Sequence, residues 1–175
     1  MHKIIRGCNG VLEQAETFIN SVSDSGYTTI IKPYFISSCG QHMRHILDHF
    51  ITLMDSCRSG VIDYDKRQRG SQLETSRSVA LQQISKIQNW LVSIDSSALE
   101  LILNIKTEVS INNQHIVCSP SSLGRELIFC SSHAIHHFSM ISIAAQMQDL
   151  QLDANFGIAP ATSSFLRAEN RPCVL

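Results

Sequence analysis

Apolar residues recur along this chain with the period of an α-helix in four stretches and with the period of a β-strand in one. Leu12, Ala15, Ile19 and Val22 line one face of a first helix over about residues 8 to 23, which the Ser23-Asp24-Ser25-Gly26 turn signal ends. Tyr27 to Phe35 reads as an irregular or extended connection, because Pro33 and the residue before it resist helix. Ser37 or Ser38 N-caps a long second helix to about Cys57, with Met43, Ile46, Phe50, Leu53, Met54 and Cys57 as its apolar face and Gly60 beyond its end. Ser71-Gln72-Leu73-Glu74 has the form of a capping box, and the stripe Ala80, Ile84, Ile87, Leu91, Ile94 carries a third helix to about Ile94. From Leu99 to Cys118 the period changes. Leu101, Leu103 and Ile105 alternate with Ile102, Asn104 and Lys106, Asn112-Asn113 signals a turn, and His115 to Cys118 is β-prone, which predicts a β-hairpin. Ser119-Pro120-Ser121-Ser122 then opens a fourth helix to about Asp149, with the stripe Leu127, Cys130, Ala134, Ile141, Ala144. The segment Asn155 to Thr162 breaks helix, and one short turn before a loose end is expected after it. The pattern predicts an all-α fold, a four-helix bundle with a small β-hairpin between helices three and four, in a single domain over residues 1–175.

Composition narrows the function classes. A formal charge of −1 with no long basic run argues against a nucleic-acid surface. The first seven residues hold too few apolar positions for a signal sequence and no later run reads as a bilayer span, so a soluble cytoplasmic protein is expected. The six cysteines, at 8, 39, 57, 118, 130 and 173, form no C-x-x-C pair, which excludes a zinc ribbon or a thioredoxin-type site and leaves free, mostly buried thiols. Eight histidines in a chain with 17% charged residues is the oddity, and six of them cluster at 42/45/49 and 133/136/137.

Residues four apart on a helix stand one turn above each other, so His133 and His137 offer two imidazoles to one ion. His137 falls in the apolar stripe of helix four and His133 beside it, whereas His136 lies on a flank with Phe129, Met140 and Ile143. A histidine on a buried face must be hydrogen-bonded or metal-bound; a satisfied core histidine is the alternative for each ring taken singly. His42, His45 and His49 form a column on helix two, in which His42 and His49 lie nearer the apolar centre than His45, and a solvated boundary strip is the alternative there. The polar loop Val61 to Gly70 carries Arg67 and Arg69, either of which could hold an anionic substrate group if the loop folds over the histidines. Glu126 lies two turns before His133, as a candidate base behind the ligands or as a surface carboxylate.

Two His clusters on the second and fourth helices match the way bundle-core metal sites are built. The segment Ser38-Cys39-Gly40-Gln41-His42-Met43-Arg44-His45-Ile46-Leu47-Asp48-His49-Phe50, with Arg125-Glu126-Leu127 and Ser132-His133-Ala134-Ile135-His136-His137 downstream, resembles the DinB/YfiT-like superfamily of metalloproteins, from about helix two to Pro160. The resemblance implies a bundle that binds a divalent metal through His45, His133 and His137, with His42 and His49 extra to the simplest pattern; His49, one helical turn after His45, is by spacing the nearest fourth ligand or base. Three neutral imidazoles accept Zn²⁺, Ni²⁺ or Fe²⁺ and leave a position open. Activity as a metal-dependent hydrolase, or as a transferase or isomerase that uses a low-molecular-weight thiol on a small molecule, is what the resemblance further implies, together with a homodimer. A non-catalytic metal-binding or stress-related protein, and a plain interaction bundle, are the other readings.

Overall fold

The computed structural model describes residues 1–169. In chain order it contains α1 (Lys3–Ser21), α2 (Asp24–Thr28), α3 (Cys39–Ser56), β1 (Val61–Asp63), α4 (Arg77–Ser93), β2 (Ile102–Glu108), β3 (Ile116–Ser122), α5 (Leu123–Gln146) and α6 (Pro160–Glu169), with short 3₁₀ turns at Cys57–Ser59, Gln72–Glu74 and Ser96–Glu100. The four long helices make the bundle: α3 packs on α4 and α5, and α1 packs on the same two from the other side. Their predicted stripes are the core. Leu12, Ala15 and Ile19, Met43, Ile46 and Phe50, Ala80, Ile84 and Ile87, and Leu127, Cys130, Ala134 and Ile141 are all buried in one cluster.

Several boundaries differ from the sequence expectation, each for a local reason. α1 starts five residues early because His2 acts as N-cap, its Nδ1 accepting from the Ile4 N–H at 3.2 Å. α1 ends at Ser21, just before the expected turn signal, but Ser23 caps a short helix, α2, that takes up the rest of that signal and the first two residues of the stretch expected to be irregular, Tyr27 and Thr28. The capping box at Ser38 and Gln41 is real on both sides. The one expected at Ser71 and Glu74 is not: those residues precede and end a 3₁₀ turn, and α4 begins six residues later, capped by Ser76. Glu74 is diverted to other donors, accepting from the Gly70 N–H and the Arg44 Nε, both at 2.9 Å.

The expected hairpin is present as antiparallel β2 and β3, but β3 runs on through Ser122, over residues expected to open the fourth helix. Pro120 is tolerated there because β3 is an edge strand. Ser122 then caps α5 by accepting from the Arg125 N–H. A third strand was not foreseen: β1 pairs in parallel with β2, Val61 opposite Asn104 and Asp63 opposite Lys106. After α5, α6 is a ten-residue helix rather than one turn, with Pro160 as its first residue, where a missing N–H costs nothing. The expected loose end beyond it and Cys173 lie outside the described residues; Cys8, Cys39, Cys57, Cys118 and Cys130 are free thiols, of which Cys8, Cys39 and Cys130 are buried.

Two features fix what lies around the site. Tyr27 is fully buried, donates its hydroxyl to the Leu73 carbonyl at 2.8 Å, and packs against Gly40 so closely that a Cβ there would meet its ring at 2.7 Å and run into the Glu74 carbonyl. Arg44, also buried, bridges Asp48 at 3.1 Å and Glu74 at 2.9 Å. The loop from Tyr64 to Arg69 is thereby fastened at both ends, by β1 on the sheet and by Gly70 on Glu74. α5 is long and apolar enough by length and composition alone to cross a membrane, contrary to the expectation that no run would qualify; here it packs in the bundle against α1 and α3.

Candidate metal centre

α3 and α5 face each other along the two histidine columns. His133 Nε2 lies 3.0 Å from His45 Nε2 and 3.1 Å from His137 Nε2, so of the three residues carried over from the family resemblance His133 meets both of the others, and the His45 and His137 ring centroids are 4.6 Å apart. The three histidines whose nitrogens all lie within 4.8 Å of one another are His45, His49 and His133, so His49 takes the place expected of His137, which reaches this group through His133. His42 adds a fifth ring behind His137, Nδ1 to Nδ1 at 3.0 Å. His136 is exposed, its ring centroid 5.3 Å from that of His137 and 6.3 Å from that of His133. The helical phase anticipated the burial: His42 and His49 are 7% and 5% exposed, and His45 is half-buried.

The hydrogen bonds assign tautomers. His49 Nδ1 lies 2.8 Å from the His45 carbonyl, which only accepts, so Nδ1 carries the proton and Nε2 is a bare lone pair. The same arrangement follows for His137 if its Nδ1–H donates to His42 Nδ1, which frees His137 Nε2 to face His133. That puts the His42 proton on Nε2, a buried atom with no partner, and His45 Nδ1 is likewise buried and unpartnered.

Burial is the first cause of a common electrostatic shift. It pushes His45 down to about 2, His137 to about 3 and His133 to about 4, with the neighbouring histidines adding to it. His42 and His49 are lowered as well, again chiefly by burial. The Arg67 guanidinium contributes in the same sense at His45, His49 and His133. The cluster is therefore neutral at pH 7, which is the state a metal requires.

These residues fit a divalent ion. Nitrogens bound tetrahedrally at about 2.0–2.1 Å stand roughly 3.3–3.4 Å apart, close to the contacts seen. A neutral imidazole has one proton, so converging Nε2 atoms cannot all be hydrogen-bonded to one another, and an ion would satisfy all three lone pairs together. His42 and the His45 carbonyl would fix the rings of His137 and His49 from behind, the usual support of metal-binding imidazoles.

Beside the cluster a cavity of about 460 Å³ opens past His49 and His133, walled by Tyr64, Arg67, Arg125 and Phe129. The Tyr64 ring stacks on His49 at 5.1 Å and contacts Phe129 at 5.4 Å, and Phe129 stacks on His133 at 5.7 Å. The polar loop thus folds over the histidines and brings Arg67 to the cavity, whereas exposed Arg69 is not among its walls. Glu126 is no surface carboxylate: it is 2% exposed and accepts from Ser121 at 2.6 Å, Tyr64 at 2.9 Å and Arg125 at 3.3 Å. It holds Tyr64 in place over His49. Sequence periodicity assigns no role to Tyr64 or Arg125 and places Phe129 only on the flank beside His136, although Phe129 precedes His133 by one helical turn.

No family model matches the chain. Over 109 residues, 62% of its length, it is 33% identical to FK506-binding protein 5 of Rhizopus delemar, and it spans 28% of the length of that curated relative. In structure it superposes on a crystal structure of a DinB-like protein from Bacillus subtilis with a TM-score of 0.62, over 90% of this chain and all of the other, at 13% identity. The fold is DinB-like. In this DinB-like bundle α3 and α5, which carry the histidine columns, pack directly on each other.

Proposed function

We propose that this DinB-like chain binds one divalent ion through His45, His133 and His137 and acts on a small molecule that reaches the ion through the adjoining cavity, as a metal-dependent hydrolase or as a thiol-linked transferase or isomerase. The observation that carries the metal reading is the approach of the His45 and His137 Nε2 atoms to that of His133, at 3.0 and 3.1 Å, on rings that burial holds neutral. Such an ion supplies Lewis acidity and lowers the pKa of water or a thiol, so that a nucleophile exists near neutral pH.

The chain's own residues do the rest. His42 and the His45 carbonyl fix the rings of His137 and His49; Tyr64, held by Glu126, shields one face of His49. His49 keeps a bare Nε2 beside His133 and serves as fourth ligand or as proton acceptor for a substrate in the cavity.

The test is the metal content of protein purified without added metal, for wild type, His137→Ala and His136→Ala. About one ion per chain is expected in wild type and in His136→Ala, and none in His137→Ala with the helical content unchanged. Metal retained by His137→Ala at wild-type level would overturn the ligand set. Stoichiometric metal with no turnover of any thiol or ester substrate would make the chain a metal-binding protein without catalysis.

A further inference from the structure

We propose that the cavity beside His49 and His133 is an oxyanion site, which holds the carboxylate or phosphoryl group of a small molecule between Arg67 and Arg125. The inference rests on the metal reading above and names the class of ligand that the site would take. Arg67 comes from the loop fastened between β1 and Gly70, Arg125 from the first turn of α5, and both wall the same cavity. Among the described residues Arg67 takes part in no ion pair, so its five N–H donors are not committed to a carboxylate of the fold. Arg125 spends one nitrogen on Glu126 at 3.3 Å and lies over the Phe129 ring at 5.4 Å, which fixes its plane and leaves its other donors free.

The acidic groups of the cavity are already engaged. Glu126 accepts three hydrogen bonds, and Asp65 accepts from the Glu108 N–H at 2.6 Å. Two arginines and two carboxylates cancel in formal charge, so the sign of the cavity is set by what the histidines hold. Neutral imidazoles compensate none of an ion's two positive charges, and a ligand that reaches the open position from this cavity is favoured when it brings negative charge. A guanidinium matches the forked geometry of carboxylate and phosphoryl oxygens, and two of them line this one cavity.

The probes are methylphosphonate and acetate, with acetamide as a neutral isostere of acetate, titrated by NMR into the zinc-loaded full chain; metal content is measured on the same samples. Wild type is expected to bind at least one of the two anions and not acetamide, with Arg67→Gln weakening that anion roughly tenfold, as for loss of a charge-assisted pair, and Arg69→Gln leaving it unchanged. The anion that loses more affinity on Arg67→Gln identifies the source, carboxylate or phosphoryl. Equal affinity in wild type and Arg67→Gln with stoichiometric zinc, or equal binding of acetamide, overturns the oxyanion site while the metal reading stands. If no zinc is taken up, the metal reading fails, and the metal-free protein then decides the inference: anion binding lost in Arg67→Gln supports it, and no such binding overturns it.

Discussion

The depressed histidines make the pH dependence of metal affinity the sharpest prediction. Three unperturbed imidazoles with a pKa of about 6.5 are each about 90% protonated at pH 5.5, so competition from protons would cut the affinity of a three-histidine site roughly 1000-fold between pH 7.5 and 5.5. In this bundle the rings titrate at about 2, 3 and 4. All three are still neutral at pH 5.5, and the expected change in zinc affinity is less than about twofold. The fold itself behaves differently. The metal-free folded state binds fewer protons than the unfolded chain below pH 6.5, so the stability conferred by the neutral rings is present above that pH and drains away as pH falls towards the folded values. At pH 5.5 each ring costs at most about 1.4 kcal/mol, less once solvent screening of these half-exposed rings is discounted. Competition with a chelator of known proton affinity at both pH values, with circular dichroism as a control for folding, measures the effect. A loss of more than about 100-fold with the helices intact would show that the rings titrate like exposed imidazoles and would refute the reasoning.

Three further outcomes are expected. Arg44→Met, which strands the Asp48 and Glu74 carboxylates in a buried setting, should lose about 3–5 kcal/mol in urea unfolding; a loss under 1 kcal/mol would mean that water reaches the pair. Gly40→Ala should destabilise by at least about 2 kcal/mol, since the Glu74 carbonyl and the Tyr27 ring must both move, and lower Tm by roughly 4–8 °C; an unchanged Tm would remove that close approach. Light scattering should return about twice the 19.5 kDa chain mass, in keeping with a homodimer that spares a surface poor in charge; the monomer mass would count against it.

What could be read from the sequence was what a single element dictates. The helical stripes were legible because burial of one face repeats every three to four residues, and that same phase placed His42 and His49 deeper than His45. The alternation around Leu103 gave the hairpin. β1 was not legible, because three residues carry no period and their partner lies some forty positions downstream. The motif at Ser71 misled because local spacing cannot reveal that Arg44, thirty residues earlier, claims the Glu74 carboxylate. The site shows the same division. Periodicity put two histidine columns on two helices, but the grouping of His45 with His133 and His137 came from the family resemblance, and the bond that joins Tyr64 to Glu126 across 62 residues is a product of tertiary packing.

The two exposed loops of the sheet region answer differently to a change in length. The segment Tyr64–Arg69 has no slack, since the β1 register holds one end and the Gly70 amide the other, so one inserted residue would slide Tyr64 off His49 or carry Arg67 out of the cavity. The turn between β2 and β3, residues 109–115, has no such anchor: Ile111 at its tip is fully exposed and every residue around it faces solvent or its margin. That turn is where a fluorophore, an affinity tag or a short linker to another protein can be spliced into the middle of the chain without touching the histidines.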